Sequence, residues 1–175
     1  QAGAKELEAK RYAARPAIKL IEMLPKTEFA SKLKLAKWSE KVAALEIALS
    51  TGGEQPHKLA PPSSSNNYAT LVSEMKCLLS HTHFVVNTKA MQVLSMMAEG
   101  VGEKLFPHLR PLLPKLLEMS KDKKLTRAVA SCTDTFFGNV VSFDHLLDAD
   151  VLPALVNEKK NKNSLARASS LEFLA

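Results

Sequence analysis

Apolar residues recur along this chain at helical spacing, in blocks that come in pairs. Leu109, Leu112, Leu113, Leu116 and Leu117 stand at i, i+3, i+4, i+7 and i+8, which lays one wide apolar stripe along a helix. Leu125, Val129, Cys132 and Phe136, at i, i+4, i+7 and i+11, mark its partner. Upstream, "FVVNTKAMQVLSMMAEG" carries Val86, Ala90, Val93 and Met97 at the same spacings, with Gly100 as the expected stop. Its Met-rich run "MQVLSMM" belongs to a core at helical spacing rather than to a ligand groove. The expected partner of that helix is "NYATLVSEMKCLL", residues 67–79, across the short turn "SHTH". At the start, "LPKTEFASKLKLAK" over residues 24–37 pairs with "SEKVAALEIALS" over residues 39–50, with Ser39 as the expected N-cap.

The pairs repeat. "LLPKLLEMSKDKKLTRAVASCTDTF" from Leu112 and "VLPALVNEKKNKNSLARASSLEFL" from Val151 both run apolar residue, Pro, helix, Lys-rich gap, Arg, Ala-containing helix. Pro114 and Pro153 lie 39 residues apart, and Arg127 and Arg167 lie 40 apart, the period of helix-pair solenoids of the HEAT and armadillo type. The expected architecture is an all-α solenoid of antiparallel helix pairs at about 18–50, 67–99, 103–138 and 143–175. Residues 1–14 read as a charged linker or lead-in helix. The Gly-, Pro-, Ser- and Asn-rich residues 51–66 read as a flexible loop. Such pairs cannot bury their apolar faces alone, so neighbours stack and their turns line up along one edge. In order these turns read "AKWSEK", "SHTHFV", "SKDKKLTR" and "NEKKNKNSLAR", and three of them are lysine-rich.

Composition agrees with helix. Six Gly, two Tyr and one Trp in 175 residues, against long runs of Leu, Ala, Lys and Glu, favour helix over sheet. Charge interrupts every apolar run before the ~18–20 residues that a membrane span needs. The chain begins at Gln1 and stops on the apolar "LEFLA", so it reads as a piece of a longer polypeptide. Cys77 and Cys132 each fall inside an expected amphipathic helix without metal-ligand spacing, and are expected to be buried, reduced thiols. A formal net charge of +6 favours an acidic partner through long-range attraction.

With these elements in place, "LPKTEFASKLKLAKWSEKVAALE" resembles the opening helix pair of a TOG (tumour-overexpressed-gene) domain, and "DKKLTRA" and "KNSLARA" are similar to that family's third and fourth turns. The resemblance covers residues 18–175 and is closest to internal domains of the microtubule-polymerase type. It implies a paddle of six HEAT repeats, of which four stand in this chain, that binds tubulin along the turn edge. Carried over by position, it implies that Trp38 packs on tubulin from the first turn, flanked by Lys37 and Lys41. Phe84 and Val85 would be the apolar contact of the second turn, Lys123, Lys124 and Arg127 the basic contacts of the third, and Lys162 and Arg167 those of the fourth. The chain departs from the pattern at His81 and His83, where small or acidic polar residues are expected, and in the length of the Pro/Ser loop.

Each of these residues also has a structural reading. Trp38 could be a hydrophobic staple, the residue before the Ser39 cap packing on Ala43. Arg127 could pair with Asp122 and hold the stack in register. The lysines could be a solvated face. Against this, an aromatic flanked by lysines has the composition of an interface anchor. The histidines lack metal-ligand spacing, and no phosphate loop, nucleophile elbow or paired carboxylate site is present. The expectation is therefore a protein that is not an enzyme and has no cofactor. Its expected partners are the tubulin heterodimer or microtubule and neighbouring TOG domains of the same polypeptide, with neither membrane nor nucleic acid. The expected location is the cytoplasmic microtubule cytoskeleton, spindle and centrosome. The rivals are a HEAT scaffold serving as a kinetochore or centrosome adaptor and, less favoured, a HEAT nucleic-acid binder.

Overall fold

The computed structural model describes residues 9–142, and within them the chain is an all-helical, HEAT-like stack of antiparallel helices in two layers. The only β-type pairing among the described residues is an isolated parallel bridge between Ile18 and Leu59. In one layer lie α3 (Trp38–Thr51), α5 (Phe84–Val101) and α8 (Thr126–Asn139), with α5 in the middle, packed against both neighbours. In the other lie α1 (Leu20–Met23) with α2 (Phe29–Leu33), then α4 (Ala69–Leu78), then α6 (Phe106–Leu109) with α7 (Leu113–Met119). The expected pair at 143–175, with Lys162 and Arg167, lies outside the described residues.

Position in the layer explains the sequence of each helix. The central α5 is covered on several sides and buries Val86, Asn87, Ala90, Met91, Val93, Leu94, Met96, Met97 and Ala98. The Met-rich run thus sits in the core. The outer α8 buries only the stripe Val129, Cys132, Thr133 and Phe136. At about 1.5–3 kcal/mol for each fully buried large apolar side chain, α5 is the main contributor to the stack.

The first helices are more broken than their stripes suggest. The stretch 102–119 runs as a 3-10 turn, α6, a second 3-10 turn and α7, with Pro107, Pro111 and Pro114 each at the start of a new segment. Proline has no N–H to donate and its ring clashes with the carbonyl four residues back, so the ladder restarts at each one. The apolar face survives these breaks, because Leu109, Leu112, Leu113, Leu116 and Leu117 are all buried. Pro25 splits α1 from α2 in the same way.

Two expected caps move. Helix α3 begins at Trp38 with Lys37 in the N-cap position and no side-chain cap, so Ser39 lies within its first turn. Helix α5 runs through Gly100 to Val101 and stops at Gly102, whose φ of 72° and ψ of −153° suit glycine alone. Gly100 is needed for a different reason: a Cβ there would come within 2.5 Å of Leu59 Cγ.

That contact shows how residues 51–66 are held. They contain no helix beyond Thr51, yet Leu59 N donates to Gly100 O at 2.9 Å, and Ile18 pairs with Lys58 and Ala60 through its backbone N–H and C=O. Tyr68, fully buried, donates its hydroxyl to Ala60 O at 2.8 Å, and Asn66 Nδ2 donates to Ala60 and Pro61 carbonyls. The lead-in is tied to the same segment. Residues 9–14 are helical, and Lys58 Nζ donates to the Tyr12 and Ala13 carbonyls at 3.0 and 2.8 Å, where a cation favours a helix C-terminus.

Candidate functional site

Three turns of the stack fall within the described residues, and each is built by local hydrogen bonds that leave particular side chains outward. In the first turn, Lys41 Nζ donates to Leu33 O at 2.8 Å, so this lysine closes the end of α2 and is half-buried. Lys37 stays exposed. With Lys41 drawn back, Leu35 and Trp38 stand out at the start of α3, 48% and 45% exposed.

The second turn is fastened from beneath. Asn87, buried on an otherwise apolar face of α5, donates through Nδ2 to the carbonyls of Leu78 at 2.9 Å, Leu79 at 3.0 Å and His81 at 3.1 Å. It thereby satisfies the C-terminal carbonyls of α4 and ties that helix to α5. His83 N donates to His81 Nδ1 at 3.0 Å, which makes that ring nitrogen an acceptor. Phe84 opens α5 and is 45% exposed, whereas Val85 beside it is half-buried. In the third turn Asp122 Oδ1 accepts from Lys124 N at 2.9 Å, and Thr126 Oγ1 donates to the Ser120 and Asp122 carbonyls. This Asx-type closure turns Lys123 and Lys124 outward.

The three turns meet through rings. The Trp38 indole stacks on the His83 imidazole with centroids 3.9 Å apart and planes 7° apart. His83 in turn faces Phe84 at 5.6 Å and 13°. Lys124 Nζ lies 5.8 Å from the centroid of the Phe84 ring, within cation–π range. A ladder of Trp38, His83, Phe84 and Lys124 therefore runs across the first three turns on the exposed edge.

Beyond Phe84 the edge opens into a groove of about 400 Å³ between α5 and α8, lined in part by Thr88, Met91, Lys124, Arg127 and Ala128. No carboxylate lines it. Arg127 is exposed and forms no ion pair among the described residues. It does not pair with Asp122, whose Oδ1 instead accepts the Lys124 N–H. Ser39 is not the N-cap that the staple of Trp38 on Ala43 requires, and the indole stacks on His83. The cysteines divide: Cys132 is buried, with its thiol pushed up to about 12 by burial and opposed only by a hydrogen bond from Ser95, while Cys77 is exposed. Among the described residues no group of three His, Cys, Asp or Glu side chains could hold a metal, and no helix is long and apolar enough to cross a membrane.

Of the residues singled out from sequence, Trp38, Phe84 and Lys124 come together, Lys37, Lys123 and Arg127 lie exposed near them, Lys41 is engaged in the fold and Val85 is half covered. His83 and Asn87 are the residues that sequence reasoning missed. The signal for Asn87 was an amide at a helix position whose neighbours on the same face are Val86, Ala90 and Met91. That for His83 was its departure from the expected turn.

Fold and edge together define a HEAT-like all-helical protein with an exposed edge of aromatic and basic side chains. Over 90% of its length the chain is similar to Protein MOR1 of Oryza sativa subsp. japonica, at 27% identity over 162 residues, and to Protein MOR1 of Arabidopsis thaliana, at 27% over 157 residues. It is likewise similar to Protein mini spindles of Drosophila melanogaster, at 24% over 161 residues. The chain spans only 7–8% of the length of these curated relatives. No family model matches it, and no solved structure matches it. This similarity to MOR1 and mini spindles agrees with the TOG-domain resemblance carried by the first, third and fourth turns.

Proposed function

We propose that this chain is a TOG-type domain that binds tubulin without catalysis, through its row of turns. Within a longer microtubule-associated protein it would promote microtubule growth at the cytoskeleton, spindle and centrosome. The observation that carries this reading is the exposed ladder of Trp38, His83, Phe84 and Lys124, beside Lys37, Lys123 and Arg127. Tubulin is strongly acidic, so a basic edge speeds encounter and sets orientation, while a desolvated ring adds attraction that salt does not screen. Sister domains on the same polypeptide would raise the local tubulin concentration, so each domain needs only moderate affinity.

The size of the Trp38 contribution follows from its exposure. A Trp side chain presents up to ~150–250 Å², and with 45% of that still open roughly 70–110 Å² is left for a partner to cover. At ~25 cal/mol per Å² this amounts to about 2–3 kcal/mol. Trp38→Ala is expected to weaken binding of soluble tubulin heterodimer roughly 20- to 100-fold by titration calorimetry, with the domain still folded. Equal binding by wild type and Trp38→Ala would sink the reading, as would binding of duplex DNA in preference to tubulin.

A further inference from the structure

We infer that His83 is a positioning residue of this edge: its imidazole, set between Trp38 and Phe84, holds the indole in the outward pose that a partner meets. The binding half of this inference rests on the tubulin reading above; the clamp itself rests on geometry alone.

No polar contact among the described residues fixes Trp38. It occupies the first position of α3, where the preceding residue gives no side-chain cap, and its indole N–H makes no hydrogen bond among the described residues. Two rotatable bonds would let the ring sweep the edge, and a sweeping ring must be ordered before a partner can bury it. The face-on contact with His83, 3.9 Å between centroids and 7° between planes, removes that freedom before binding.

His83 is itself well held, but not through its ring. Its backbone N–H donates to His81 Nδ1, and its carbonyl accepts from Val86 N at 3.0 Å and Asn87 N at 3.4 Å in the first turn of α5. Asn87 anchors the same turn to the core. The ring, by contrast, makes no cap to the helix it precedes, and its Nδ1 is buried without a hydrogen-bond partner. An N-capping role for the side chain is therefore ruled out. What the imidazole does is stack, on Trp38 at one side and on Phe84 at the other. A rigid path leads from the buried amide of Asn87 through the second turn to Trp38 in the first, between residues 49 positions apart in sequence.

Trp38 is the single tryptophan of the chain, so its emission reports this contact directly. The test compares wild type, His83→Ala and His83→Phe by time-resolved fluorescence anisotropy, by acrylamide quenching, and by binding of soluble tubulin. In His83→Ala the indole is expected to gain fast local motion and acrylamide access, and tubulin affinity to fall roughly two- to tenfold, the range of one aromatic pair. His83→Phe should restore both, and far-ultraviolet circular dichroism should show an intact fold in each. Unchanged indole motion in His83→Ala overturns the clamp. A freed indole with unchanged tubulin affinity overturns its role in binding. If Trp38→Ala alone leaves tubulin binding intact, the tubulin reading and the binding half of this inference fall together, while the fluorescence arms still decide the clamp.

Discussion

Asn87 offers the sharpest test of how the core governs the edge. Its Nδ2 carries two hydrogens and serves three carbonyls, those of Leu78, Leu79 and His81, at 2.9–3.1 Å, in a residue only 3% exposed. Leu78 O also accepts from His81 N, so replacing Asn87 leaves that carbonyl with a partner. Leu79 and His81 lose the bond that Asn87 provides. Leaving a buried acceptor unsatisfied costs about 1–3 kcal/mol, and partial water entry at the turn lowers this, so Asn87→Ala should cost about 2–4 kcal/mol in all. Against a domain stability of roughly 5–15 kcal/mol this is a large fraction. For a chain of this size it corresponds to a fall in melting temperature of roughly 5–15 °C. Asn87→Asp should be worse than Asn87→Ala at neutral pH, because a buried carboxylate donates nothing and faces three carbonyl oxygens. Urea unfolding followed by circular dichroism measures both. A cost for Asn87→Ala under ~0.5 kcal/mol, or an Asp variant more stable than the Ala variant, would refute the assignment of this amide as the fastener of the second turn.

Two further outcomes follow from the same structure. Gly102→Ala should cost about 1–3 kcal/mol, because φ 72° and ψ −153° lie in a region almost closed to residues with a Cβ. The nearest atom to that Cβ, Asn139 O, is 3.6 Å away, so the cost is conformational; an unchanged melting temperature would contradict it. For the thiols, burial raises Cys132 from its ordinary 9.0 to about 12, so at pH 8 a thiol reagent should label one cysteine per folded chain promptly and the second only on unfolding. Cys77→Ser should abolish the prompt phase. The linked stability is fully present below about pH 9 and is lost as pH rises toward 12, because there the unfolded thiol ionises and the folded one does not.

The helices were legible because their signal is local. The apolar stripes of α5, α7 and α8 follow from spacing within each segment, and the burial of Leu109, Leu112, Leu113, Leu116 and Leu117 persists although three prolines break the helix that carries them. Caps were less legible. Ser39 is a good N-cap by type, yet the N-cap falls two residues earlier, at Lys37, with Lys41 reaching back to Leu33. Gly100 and Gly102 are both plausible stops by type, and what separates them is that Leu59, from 41 residues upstream, packs on the first.

By itself, then, the sequence determined an all-helical stack of pairs, the place of Trp38 in the first turn, and a lysine-rich third turn, since each depends on periodicity or residue type over a few positions. Only the tertiary structure decided which of these residues meet. The stack of Trp38 on His83, the contact of Lys124 with Phe84, and the grip of Asn87 on the backbone at the end of α4 join residues from separate turns and helices. The physical reason is that pairing helices brings turns about 40 residues apart to within a ring's thickness of one another. Spacing along the chain carries no record of that distance.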